Sequence, residues 1–102
     1  MNLPAPLAVP VEVRALDTGP DLDRVWRLAL AIGEAGLQLE RDLPWAPGRP
    51  VRVELVLPDD PAPLAATGVV APRRSDTIAF TQLDPEPRRR LAGYVQERML
   101  LP

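Results

Sequence analysis

Trp26 to Glu40 reads W-R-L-A-L-A-I-G-E-A-G-L-Q-L-E, and its interpretation decides the fold. Trp26, Leu28, Leu30 and Ile32 alternate with Arg27, Ala29 and Ala31. A period of two specifies a strand with one buried face. Gly33-Glu34-Ala35-Gly36 interrupts the alternation, and its glycines are expected at the positive-φ positions of a tight connection. Leu37 and Leu39 resume it, with Gln38 and Glu40 facing the other way. The stretch is therefore a β-hairpin. Its large apolar residues are expected inward, and Ala29, Ala31 and Gly33 are expected on the outer face.

Working outward, Met1 to Ala8 is expected to be an extended tail interrupted by proline, and residues 9–102 a single domain. Val9, Val11 and Val13 alternate with Pro10, Glu12 and Arg14, which gives a first strand at an edge or strand start, since proline cannot donate to a central ladder. Asp17 to Asp21 is a turn cluster. After the hairpin, Asp42 to Pro50 reads as a loop. Its Trp45 serves either as a lid over one barrel end or as an exposed contact, and the lid is favoured because tryptophan buries much apolar area. Val51, Val53, Leu55 and Leu57 alternate with Arg52, Glu54 and Val56 in a fourth strand. Pro58-Asp59-Asp60-Pro61 reads as a solvated turn; no spaced oxygen ligands follow to make it a cation site. Leu64–Ala71 and Thr77–Leu83 are the fifth and sixth strands, the latter with Ile78 and Phe80 inward.

Then the period changes. Asp84 suits an N-cap, Pro85 the first helical position and Glu86 the first turn. Leu91, Val95 and Met99, beside Tyr94, form a stripe at helical spacing, so a helix is expected over about 85–100, covering one side or mouth of the barrel.

Composition narrows the chemistry. The 102 residues carry a net charge of −2, too little positive charge to track a nucleic-acid backbone. All 12 basic residues are arginine, and cysteine, histidine and lysine are absent. Disulfides, thiolate or imidazole metal sites, a histidine base, a Schiff base and a Walker-type phosphate grip are thereby excluded. Ser75 is the sole serine and has no imidazole or amine to activate it. An enzyme is not expected, and no cofactor is implied. Met1 to Val9 has no basic n-region, and no apolar run approaches the ~20 residues of a membrane-spanning helix. The expected location is the cytoplasm, without membrane insertion.

The order of these pieces resembles a known family. The hairpin has the form x-G-x-x-G-L-x-L; a proline-rich loop and G-x-x-V-x-V-E-L-x-L-P follow; F-T-x-L-D-P and R-x-x-L-x-x-Y-V come later. Together they resemble a PilZ domain, from about Val9 to Met99. The resemblance implies a mainly β fold: a six-stranded antiparallel PilZ-like β-barrel with a C-terminal α-helix. It also implies a receptor for cyclic di-GMP where two elements are present. One is R-x-x-x-R before the first strand; the other is [D/N]-x-S-x-x-G on the hairpin.

Here the Met1 to Pro10 segment has no arginine. With Gly36 as the final glycine of the second element, Gly33 takes the serine position and Ala31 the acid or amide position. Such a receptor needs guanidinium forks for phosphates and acceptors for guanine N–H groups. Each ligand group left without a partner costs roughly 1–3 kcal/mol. Tight binding at Ala31, Gly33 and Gly36 is not expected.

What remains is an adaptor acting through protein–protein contacts. By resemblance this lies in type IV pilus, motility or related cyclic-di-GMP-linked signalling, with an assembly ATPase or a signalling protein as partner. The candidate partner surface comprises Arg27, Ala29, Ala31, Gln38 and Arg52; the same small residues could instead accommodate the chain's own tail or helix, or a second copy in a homo-oligomer. Arg73, Arg74, Arg88, Arg89 and Arg90 are candidate anion contacts, against the alternative that the helical run is a solvated face. They define a second reading, a cyclic-di-GMP receptor using arginines outside the motifs. A structural or oligomeric barrel module without a small ligand is the third.

Overall fold

The computed structural model describes residues 6–16, 24–57 and 60–100, and side chains over 9–16, 24–57 and 62–96. Two valine-rich alternations set the core. In β1 (Pro6–Ala15) Val9, Val11, Val13 and Ala15 are buried; in β4 (Pro50–Leu57) Val51, Val53, Leu55 and Leu57 are buried. The strands pair antiparallel with Val11 opposite Leu55 and Val13 opposite Val53, so both inward rows meet in one interior. β2 (Arg24–Gly33), β3 (Gly36–Leu39), β5 (Asp60–Val70) and β6 (Thr77–Gln82) complete a closed barrel in the order β1-β2-β3-β6-β5-β4, antiparallel throughout. Closure pairs strand edges that would otherwise be open. The architecture is the expected one. Trp45, in the loop before β4, is buried against this core.

Helix α1 (Pro85–Leu100) starts where the caps place it. The carbonyl of Asp84 accepts the Arg88 N–H at 2.9 Å, as an N-cap carbonyl does. Leu91 and Tyr94 are buried and Val95 packs on the core; Met99 lies outside the described side chains. α1 packs against β2 and β5, which are not neighbours in the ring, so the helix crosses a barrel mouth.

Several boundaries move. β1 begins at Pro6, inside the segment expected to be tail. β5 begins at Asp60, so the turn expected there is shorter; Pro58 and Asp59, like the Asp17 to Asp21 cluster, lie outside the described residues.

The larger correction concerns β2. Trp26 and Leu30 are 60% and 43% exposed, whereas Ala29 is fully buried and Ala31 nearly so. Hence Trp26, Leu28 and Leu30 line the outside and Ala29 turns into the core, while Ala31, opposite Gln38 beyond the register shift, is covered at the hairpin without joining the core. Register explains the inversion. Val13 pairs with Val25, Val11 with Arg27 and Val9 with Ala29. Directly opposed residues share a face, so the inward valines of β1 turn the odd-numbered residues of β2 inward. The register then shifts between Ala29 and Ala31 on the β3 side, an extra residue that resets the alternation and brings Ile32 into the core as expected.

Glycine is also used differently from expectation. Gly33 and Gly36 do not have positive φ; among the described residues only Gly48 does, at 84°. Gly36 is needed for space, because a Cβ there would collide with the Ile78 carbonyl oxygen. Gly68, on the other side of β6, stands in the same relation to the Ala79 carbonyl. Nothing lies within 4 Å of a Cβ built on Gly33.

Candidate functional site

The β2–β3 hairpin opens into a cavity of about 440 Å³ lined by Ala31 to Gln38 and, from across β6, by Arg74, Thr77, Ile78 and Ala79. All three motif positions, Ala31, Gly33 and Gly36, border it, so the structure brings together the positions that the resemblance assigns to ligand binding. Their chemistry is meagre: a methyl group and two bare backbone positions. The charged side chains on the lining are Glu34 and Arg74.

Arg74 is already engaged. Its Nε and Nη2 donate to the two carboxylate oxygens of Asp76 at 3.1 and 3.0 Å. Thr77 Oγ1 donates to the same carboxylate at 3.0 Å. The Arg74 hydrogen bond, followed by that from Thr77, holds the Asp76 carboxyl below its ordinary value despite some burial. A fork–fork pair of this kind fixes guanidinium geometry. The segment is tied to the hairpin as well: Leu39 N–H donates to the Asp76 carbonyl at 2.7 Å and Leu43 N–H to the Ser75 carbonyl at 2.8 Å.

The other candidate arginines lie elsewhere. β6 separates Arg73 and Arg74 from the helix start by about 20 Å at ~3.3 Å per residue, so the two groups do not converge on one anion. Within the helical run, Arg88 Nη2 donates to the Leu83 carbonyl at 3.2 Å. Arg90 donates to the carbonyls of Ala62 and Pro63. β6 ends at Gln82 opposite Thr67, so Arg90 covers a part of β5 that β6 does not reach. Arg89 is exposed.

The five residues proposed as a partner surface do not share one face of the barrel. Besides buried Ala29 and Ala31, Arg27 is turned to backbone: its Nε and Nη2 donate to the Asp42 carbonyl at 3.3 and 3.2 Å, and Nη1 to the Trp26 carbonyl at 2.9 Å. Gln38 lies at the hairpin cavity and Arg52 on β4, two strands from β2. Sequence reasoning missed the backbone contact of Glu40. Leu28 N–H donates to its Oε1 at 3.1 Å while Glu40 N–H donates to the Leu28 carbonyl at 2.9 Å, so a carboxylate continues the ladder beside the bulge. It also missed the exposed apolar wall. Trp26 and Leu30 on β2, Val56 on β4 and Leu16, just past the end of β1, are the large hydrophobics exposed among the described residues. An open cleft of about 310 Å³ runs there between Trp26, Val56, Pro10 and Pro63, with Glu12 and Glu54 beneath.

Among the described residues, no cluster of His, Cys, Asp and Glu could hold a metal ion and no helix is long and apolar enough to cross a membrane. No curated protein matches the chain. A family model described as the PilZ domain matches residues 5–97. Domains of that family are binding and adaptor modules linked to cyclic-di-GMP signalling rather than enzymes. With nearly the whole chain matched and a closed six-stranded barrel capped by a C-terminal helix, this chain belongs to the PilZ domain family.

Proposed function

We propose that this chain is a regulatory adaptor of cyclic-di-GMP-linked signalling that works through protein contacts and does not bind the dinucleotide tightly. The observation that carries the reading is the charge content of the hairpin cavity: Arg74 is paired to Asp76, and Glu34 shares the lining. A ligand with two phosphates meets one occupied guanidinium and one carboxylate there, where it requires free cationic forks. Ala31 and Gly33 offer no side-chain partner to a guanine edge. By family resemblance the setting is type IV pilus assembly, surface motility or a related pathway in the cytoplasm, with an assembly ATPase or a signalling protein as partner.

Isothermal titration of the chain with cyclic di-GMP tests this. No saturable heat at micromolar ligand is expected. Binding at micromolar affinity or tighter would instead make the chain a receptor working through arginines outside the motifs, and Arg73→Ala and Arg74→Ala would locate them.

A further inference from the structure

The outer wall of β2, β1, β4 and β5 is ordered in rows. Register sets Trp26, Glu12, Glu54 and Ala65 side by side, and in the next outward row Arg24, Arg14, Arg52 and Thr67. Above the carboxylate row, Leu28 and Pro10 are paired and Val56 and Pro63 continue the line. Below the arginine row, Leu16 is 46% exposed and donates its N–H to the Pro50 carbonyl at 3.0 Å. The sequence of rows is therefore apolar, acidic, basic, apolar.

Like charges directly opposed across strands destabilise a sheet. This wall opposes Glu12 to Glu54 and sets Arg14 between Arg24 and Arg52. Relief inside the chain is partial: Arg14 and Arg24 reach Glu12 at 3.2 and 3.4 Å, and Arg52 approaches Glu54 only to 3.8 Å, with both side chains nearly half exposed.

We propose that this wall is the surface through which two copies of the chain form a two-fold dimer. The axis lies in the interface and crosses the strands between the acidic and basic rows. Each strand then lies antiparallel over its own copy. Glu12 meets the second copy's Arg14, Glu54 its Arg52, and the indole of Trp26 its Arg24, a cation–π arrangement. The apolar row meets the end carrying Leu16 and Pro50. One two-fold rotation thus places opposite charge over every like-charged pair and covers Trp26, Val56 and Leu16 together. Four strands about 4.8 Å apart and some eight residues of strand length give a flat footprint on the order of 500 Å². Side-chain relief brings that to the small end of specific interfaces, so association is expected at micromolar concentration. The proposal stands independently of the adaptor reading and of any dinucleotide.

Analytical ultracentrifugation over a micromolar concentration series tests it. A reversible dimer is expected, with at least about tenfold weaker association for Trp26→Glu and Val56→Glu. Glu54→Arg and Arg52→Glu should each fail to self-associate, while their mixture forms a heterodimer because opposite charges again face each other. A monomer at every concentration overturns the proposal and leaves the wall to a partner of different sequence. So does a dimer indifferent to these substitutions. Trp26, Arg52 and Val56 are exposed and the Glu54 side chain is nearly half exposed, and circular dichroism checks that each variant is folded.

Discussion

Gly33 and Gly36 look equivalent as letters, and the backbone separates them. Gly36 faces Ile78 so closely that no Cβ fits, whereas Gly33 has open space and no positive φ. Gly36→Ala should therefore cost about 2–3 kcal/mol, since the obstructing atom is backbone and cannot move aside. Gly33→Ala should be neutral or stabilising by up to about 1 kcal/mol through the unfolded chain. Urea denaturation of the pair measures both. Asp76 supplies a second test at this scale. Its carboxyl is lowered on folding, chiefly by the Arg74 hydrogen bond. A lowered carboxyl stabilises the fold above its unfolded value and loses that contribution as pH falls through the lowered folded value. Melting temperature should thus drop across the window just below the ordinary aspartate value, and Asp76→Asn should flatten that part of the drop. An unchanged acid limb in the variant would assign the acid sensitivity to other carboxylates.

Single elements show which parts of the fold were legible in the letters. β1, β4 and α1 were: Val9/Val11/Val13 and Val51/Val53 alternate against charged residues, and Asp84-Pro85-Glu86 marks a helix start by local chemistry alone. β2 was not, because its inward face is decided by pairing with β1, a non-local fact. Its large residues suggested the wrong face, and no letter announces the bulge between Ala29 and Ala31. The two tryptophans turn this into a measurement. Trp26→Ala, at an exposed position, should change stability of the dilute chain by no more than about 0.5 kcal/mol. Trp45→Ala, in the core, should cost about 3–5 kcal/mol. Comparable losses would contradict the observed orientation of β2. For the helix, Leu91→Ala should cost about 2–4 kcal/mol by opening a cavity under the cap across the barrel mouth, read by thermal unfolding.

At the scale of the molecule, the proposal of weak dinucleotide binding starts from letters: Met1 to Pro10 contains no arginine, and Ala31 stands at the acid or amide position. How the remaining cations are spent could not be read from the sequence: Arg74 on Asp76, Arg88 on Leu83 and Arg90 on the edge of β5 depend on where strands end. Nor could the stacking of charge rows on the outer wall, which arises only when β1, β2 and β4 lie side by side. The barrel is closed, its hairpin cavity is lined by Glu34 and by an Arg74 paired to Asp76, and the large exposed hydrophobics among the described residues lie elsewhere. The most direct check is an amide-resolved nuclear magnetic resonance titration with cyclic di-GMP, following the Gly33, Gly36 and Thr77 N–H signals that border the cavity. These signals are expected to stay in place at micromolar ligand; saturable shifts centred on them would show that the cavity takes the dinucleotide and overturn the adaptor reading.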